Sequence, residues 1–330
     1  MEKTESFVEL RSIFRKDGGN QLNFKITSDR IINIVDAITG TILMSFLQSQ
    51  AGIVADNILI ELNGNSGTSE ALVALIKNYQ ITEVAKKTSG KGDIDILIYD
   101  PIHGISSNQE FSIKSFLGSD PTLFNANMTT NIIYKITDIN ENAINLQHLK
   151  EINSITTRFK YIDRIGRLLE LGYKVEYYNY QDTTFKLNLQ VIDSDLPKIL
   201  AHIVKYKYVN RITKFTDIIN KITAENPMNY DLSQGHNFYD YRLVNFLVEA
   251  AMGMTSKKVW SGNYDIVGGI IIVKPNTEIL CYHLIDFNKF KQYLRKASRL
   301  DNPSGSKMGY GQVYLESENS FIKLNFQVKA

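Results

Sequence analysis

Two short segments restrict the fold more than anything else in the chain. GDIDILIYD (Gly92–Asp100) and EFSIKS (Glu110–Ser115) both alternate apolar with polar or charged residues. Period-two alternation marks strands whose two faces meet different surroundings. Ile94, Ile96 and Ile98 share one face of the first, and Asp93, Asp95, Leu97 and Tyr99 share the other. In the second, Phe111 and Ile113 oppose Glu110, Ser112 and Lys114. Core strands rarely carry charge without a partner. The Pro- and Gly-bearing loop DPIHGISSNQ (100–109) joins them as a wide hairpin, which would bring Asp95 and Lys114 onto one polar face.

The remaining pattern is mixed. The chain has 330 residues, of which 43% are hydrophobic and 22% charged, enough apolar matter for a large core. IINIVDAITGTILMSFL reads as a buried helix over about 31–48, interrupted at Asp36 and Gly40. EALVALIKNY (70–79) reads as a helix capped by Thr68 or Ser69. DPTLFN (120–125) reads as a short helix with Asp120 as cap and Pro121 at its first position. NIIYKITDI reads as a strand, and TTRFKYIDRIGRLLELG as an amphipathic helix closed by Gly172. YKVEYYNY and TFKLNLQVI flank QDT as a hairpin. LPKILAHIVKYKY and FYDYRLVNFLVEAAMGM are helices. GGIIIVK, EILCYHLI, GQVYLE and FIKLNFQV are strands, with the basic helix NKFKQYLRKAS among them. The expected class is α/β (mixed α+β), a mixed central sheet flanked by helices. No linker divides it, and three regions are expected: an N-terminal helical or mixed segment at 1–60, the strand pair within 61–150, and an α+β region at 151–330 packed against it.

Several function classes are excluded. The single cysteine, Cys281, forbids an intrachain disulfide and a thiolate zinc cluster. The charged N-terminus lacks the apolar core of a signal peptide, and no run reaches the roughly 18 apolar residues of a membrane span; a cytoplasmic location is expected. SGKGD is not a phosphate loop, and GNSG is one residue short of a nucleophile elbow. The five histidines lack metal-ligand spacing. Net charge is only +2, so any basic surface must be built by local clustering.

The charged strands offer one chemistry. A carboxylate heading one strand and an acidic-x-Lys tripeptide on the next resemble the site of PD-(D/E)xK nucleases. Phosphodiester hydrolysis needs a hard cation to neutralise the transition state and activate water, and Mg²⁺ takes oxygen ligands. Asp95, with Asp93, and the Ile113 carbonyl would hold it. Lys114 would orient the attacking water or steady the phosphate. The tripeptide is Ser112-Ile113-Lys114, so a serine stands at the usual acidic position. Another acid is needed, and Glu70 and Asp93 rank ahead of Glu110. A hairpin with capping aspartates and a snorkelling lysine is the structural alternative.

The stretch EFSIKSFLGSDPTLFNANMTTNIIYKI resembles the HpaII-like type II restriction endonucleases. So do GHNFYDYRLVNFLVEAAMGM, WSGNYDIVGGIIIVK with ILCYHL, and GYGQVYLESENSFIKLNFQV, so that the resemblance covers most of residues 60–330. It implies a restriction-endonuclease-like catalytic core at 61–150 and DNA recognition at 151–330. It implies Mg²⁺-dependent cleavage of both strands of double-stranded DNA at a short palindrome, CCGG for the family's namesake. A cognate DNA methyltransferase in the host is implied too, and a palindromic target favours a homodimer. Lys86, Lys87 and Lys91 suit phosphate contact. Ser115, Ser119, Thr122, Asn125, Thr129, Thr130 and Asn131 are small polar groups after the lysine, suited to the backbone or a groove, or to turns and caps. His236, Asn237, Arg242, Asn263, Asp265, Lys307 and Tyr310 are further DNA candidates, basic and acidic readers suiting a GC-rich target; Lys307-Met308 departs from the family pattern in its loop. Arg158, Lys160, Arg164 and Arg167 read as a solvated helix face, with DNA backbone contact as the alternative. A DNA-binding protein with a decayed nuclease site, and a repair or junction nuclease, are the competing functions.

Overall fold

The computed structural model describes residues 9–14, 22–26, 31–36, 39–47, 94–100, 105–116, 120–264, 266–274, 279–283, 287–303 and 305–330. The chain is mixed α/β and divides into two compact units. The first is Met1–Pro121 with Tyr264–Phe290, and the second is Thr122–Asn263 with Lys291–Ala330.

The first unit holds an eight-stranded sheet. Its strands are β1 (Glu9–Phe14), β2 (Leu22–Ile26), β3 (Ile31–Asp36), β4 (Ile42–Leu47), β5 (Ile94–Asp100), β6 (Ile105–Ser115), β10 (Gly269–Val273) and β11 (Ile279–His283). They lie in the order β11-β10-β6-β5-β1-β2-β3-β4. Neighbours are antiparallel except β10, which runs parallel to β6. The helix expected over 31–48 is instead the β3–β4 hairpin. Asp36 ends β3, and Gly40 takes a φ of +71° in the turn, a conformation glycine adopts without steric cost. Ser45 donates across this hairpin to Asn33 Oδ1 at 2.6 Å. The loop expected at 100–109 is shorter than its composition suggests, because β6 already begins at Ile105.

β10 reaches β6 through a glycine. The Gly268 N–H donates to the Glu110 carbonyl at 2.8 Å. A Cβ at Gly268 would stand 2.5 Å from the Phe111 ring and 2.8 Å from that carbonyl oxygen. Phe111 is 1% exposed, so its ring has nowhere to retreat.

The second unit carries two small sheets and most of the described helices. β7 (Thr122–Phe124), β12 (Arg299–Asp301) and β15 (Gln327–Lys329) form one sheet, in the order β12-β15-β7. β8 (Ile132–Thr137), β9 (Lys174–Tyr180), β13 (Val313–Glu316) and β14 (Asn319–Leu324) form the other, in the order β13-β14-β8-β9. The helices are α1 (Leu146–Ser154), α2 (Lys160–Glu170), α3 (Thr183–Ile192), α4 (Leu196–Asn210), α5 (Phe215–Glu225) and α6 (Phe238–Met252). α7 (Phe287–Ala297) belongs to the first unit as far as Phe290 and to the second from Lys291, and the short α8 (Gly305–Met308) follows in the second.

Three local expectations are corrected here. DPTLFN is not a helix: Leu123 and Phe124 are buried on β7, which pairs with β15. TFKLNLQVI is not a strand but α3, whose N-cap Asp182 accepts from the Phe185 N–H. Its buried residues are Phe185, Asn188 and Leu189, spaced for a helix, while Leu187 and Val191 face solvent. FIKLNFQV is two strands of different sheets, β14 and β15, parted at Asn325.

Phe124, Phe185, Phe246 and Phe326 meet at the core of this unit. Phe124 stands 5.5 Å from Phe185, 5.5 Å from Phe246 and 5.9 Å from Phe326 between ring centroids. Each such buried side chain contributes roughly 1.5–3 kcal/mol, and together they join β7, α3, α6 and the approach to β15. α4 runs through the core with Lys207 on it, 3% exposed. Its ammonium donates to the Asp301 carbonyl at 2.6 Å and lies 4.8 Å from the Tyr208 ring centroid. Burial pulls the Lys207 pKa down to about 7.

Gly268→Ala is expected to destabilise the protein by roughly 1–3 kcal/mol, read from the urea midpoint. Lys207 in the fold sheds its proton near pH 7, whereas the unfolded lysine keeps it until about pH 10.4. The parent therefore gains stability as pH rises through this window. A Lys207→Met variant, which never carries the charge, should lead the parent most near about pH 6 and lose roughly 2–3 kcal/mol of that lead by about pH 9, measured by urea unfolding.

Candidate active site

The β5–β6 ladder is antiparallel with an unbroken register. Ile94 faces Phe111, Asp95 faces Glu110, Ile96 faces Gln109, and Asp100 faces Ile105. Opposed residues in such a ladder have Cα atoms about 4.5–5.5 Å apart and point to the same face. Position 95 therefore shares its face with 110, and by alternation with 112 and 114. The ladder thus sets residue 95 directly opposite residue 110. Glu110, which ranks last on sequence, is the acid the register sets opposite Asp95.

Lys114 lies on that face but four residues further along β6, roughly 13 Å by strand rise. It is half-buried, and its Cα partner on the other side is Ile272 of β10. Ser112 is 2% exposed and faces Ile270 of β10. A hydroxyl buried there is not open to an incoming ion. Ile113 is 37% exposed. β6 thus runs between β5, which brings Asp95, and β10, which covers Phe111 through Gly268. The VGG of the WSGNYDIVGGIIIVK segment is a packing signal at this strand, and only the close backbone approach reveals it. Asp93, Glu70, Lys86, Lys87, Lys91, Ser119 and Asp265 lie outside the described residues.

The second unit sorts its polar candidates into two groups. One group is consumed inside the fold. Thr130 and Asn131 are fully buried. The Thr130 hydroxyl lies 2.7 Å from the Asn127 carbonyl and 2.9 Å from Asn325 Oδ1, and its one proton serves one of the two. Asn131 donates to Gln181 Oε1 and the Met308 carbonyl, both at 2.9 Å, and accepts from Asn325. Tyr310 is buried, its hydroxyl donating to the Pro303 carbonyl at 2.9 Å, and burial pushes its pKa up to about 12. Arg242 pairs with Asp193 at 2.8 Å and lies 4.8 Å over the Tyr230 ring. Arg164 is 4% exposed and donates to the carbonyls of Gly311, Asn153 and Ile155. These side chains hold loops in place.

The other group faces solvent. Asn125, His236, Asn237, Asn263 and Lys307 are exposed, and Thr122 is half-buried on β7. Ser115 ends β6. Trp260 is half-buried, its indole N–H donating to the Asn263 carbonyl at 3.2 Å. Arg167 pairs with Glu151 at 2.6 Å and Glu170 at 3.1 Å, an exposed network. No group of three or more acidic, histidine or cysteine side chains is arranged to hold a metal among the described residues, and no helix among them is long and apolar enough to cross a membrane.

Comparison with known proteins places the sequence in a family. The family described as HpaII restriction endonuclease matches residues 1–330. The type II restriction enzyme HpaII of Haemophilus parainfluenzae is 31% identical over 331 residues, which span 100% of this chain and 90% of that protein. No solved structure matches. A family match from the first residue to the last, with a full-length relative beside it, means that the chain belongs to the HpaII restriction endonuclease family.

Proposed function

We propose that this chain is a type II restriction endonuclease that hydrolyses phosphodiester bonds in double-stranded DNA at a short palindrome, CCGG-like by family, using Mg²⁺. Family membership makes DNA the substrate. The observation that carries the catalytic reading is the register of β5 and β6, which opposes Asp95 and Glu110 on the strand that bears Ser112-Ile113-Lys114. Hard divalent cations take carboxylate and carbonyl oxygens, and this pair of positions suits one. Bound there, the cation would neutralise charge on the scissile phosphate and lower the pKa of water.

The chain's own residues divide the remaining work. Asp95 and Glu110 would hold the cation, with the Ile113 carbonyl as a further oxygen donor. Asp93 and Glu70 are the other acids that the sequence offers. Ser112 is buried and gives no carboxylate at the motif's acidic position, and Glu110, two residues earlier on the same face, would supply it instead. Lys114 leans along the strand toward the phosphate and holds the attacking water or the developing charge. A palindromic target would be met by two copies of the chain, and a methyltransferase of the same specificity would protect the host's own sites.

Plasmid DNA incubated with Mg²⁺ should yield discrete fragments with common terminal sequences, and none with EDTA. Fragments without a common end would mean a repair-type nuclease, and retarded but intact DNA a binding protein. Lys114→Ala should lower the cleavage rate at least about 100-fold while duplex affinity in EDTA stays within about threefold. Asp95→Asn and Glu110→Gln should each lose metal-dependent cleavage; full activity in Glu110→Gln would move the second acid to Asp93 or Glu70.

A further inference from the structure

α2, the loop after α8, β13 and β14 enclose a cleft of about 470 Å³. Lys160, Tyr161 and Arg164 line one wall; Tyr310, Tyr314 and Lys323 line the other. Tyr161 and Tyr310 stand 4.6 Å apart between centroids. Gly311 is at a φ of +82°, and a Cβ there would strike the Tyr161 ring, so the loop is seated tightly on α2. The scaffold is stiff.

Charge in this cleft is lopsided. Lys160 lies 5.3 Å over the Tyr161 ring and Lys323 5.4 Å over the Tyr314 ring. Neither ammonium meets a carboxylate among the described residues. Arg164 is buried, and its terminal nitrogens go to carbonyls, not to an acid, while its Nε has no partner. The acids of α2 are engaged elsewhere: Asp163 with Thr157 and Arg211, Glu170 with Arg167. Two acids bear on the lining, exposed Glu316 through Tyr314 and Asp301 through Tyr310. Asp301 is already paired with Lys329 at 3.3 Å, so Lys160, Arg164 and Lys323 face Glu316 alone among the described acids that bear on the cleft, and positive charge is in excess there. Buried charge is ordinarily paired, and like-signed groups around a concave wall focus an attractive potential for an anion.

We infer that this cleft grips the sugar–phosphate backbone of duplex DNA, with Lys160 and Lys323 as the phosphate contacts and Arg164 as the fixed charge beneath them. The inference rests on the reading of the chain as a DNA-cutting enzyme and adds a contact site to it. Such contacts position a duplex without reading its sequence. Each released phosphate counterion adds about 0.9 to the slope of log affinity against log salt.

The test uses the full chain and a short duplex without a CCGG site, in EDTA, over a range of salt. The Lys160→Gln/Lys323→Gln double variant should bind roughly tenfold more weakly at low salt, with a slope shallower by about 2. The Lys160→Arg/Lys323→Arg pair should restore both. In the parent, the duplex should protect Lys160 and Lys323 from acetylation, a readout independent of how the variants fold. An unchanged slope, or acetylation unaffected by a duplex that does bind, overturns the cleft while leaving the nuclease intact. A parent that binds no duplex at all overturns the DNA-cutting reading and the cleft with it.

Discussion

The hydrogen bond from the Gly268 N–H to the Glu110 carbonyl fixes the position of the strand on which the proposed chemistry depends. It sits where a side chain of any size would collide with Phe111. Because residue 268 is glycine, β10 can lie against β6 as a parallel neighbour, and β6 becomes an inner strand with β5 on its other side. An inner strand is held by two ladders, so its register is fixed twice. That matters because a slip of one residue would turn positions 110, 112 and 114 to the opposite face. The β10 ladder thus helps hold residue 110 on the face where the β5 ladder sets residue 95 opposite it.

The second unit shows the same economy with polar groups. Asn325 joins Thr130, Asn131 and the Asn127 carbonyl through one amide, and a buried amide must find such partners or cost stability. Residues that look like DNA contacts in a list of polar side chains are therefore divided by burial. Thr130, Asn131 and Tyr310 are spent inside the fold, whereas Asn125, His236, Asn237, Asn263 and Lys307 are exposed to solvent.

Sequence made the strongly periodic elements legible and the short ones not. α2, α4 and α6 each carry enough turns for their apolar stripe to be unmistakable, and β5 carries a clean alternation. Thr122–Phe124 and the 31–47 segment failed for a different reason. A three-residue strand such as β7 exists only because β15, two hundred residues away, supplies its ladder, and a local pattern holds no trace of that partner. TFKLNLQVI misled because Phe185, Leu187, Leu189 and Val191 alternate, although burial follows Phe185, Asn188 and Leu189 at helical spacing. At the candidate site, the two strands and their shared polar face were readable from residue types alone. Which acid faces Asp95 was not, since register is settled by the whole ladder rather than by any residue in it.

Ser112 illustrates how a motif can shift without the geometry being lost. In a strand, positions two apart occupy one face, so a carboxylate at 110 or at 112 presents oxygens to the same side. Moving it from 112 to 110 slides it along the strand by roughly 7 Å, which would empty the site if the partner acid stayed put. The register compensates, because Asp95 stands opposite 110 and not opposite 112. With the acid gone from 112, that position is free to be small and buried, and a serine there lets Ile270 of β10 pack beside it. In the proposed mechanism the lysine, four residues from the carboxylate pair rather than two, would work on the phosphate from further along the strand, so that charge stabilisation and metal binding would come from separate stretches of β6.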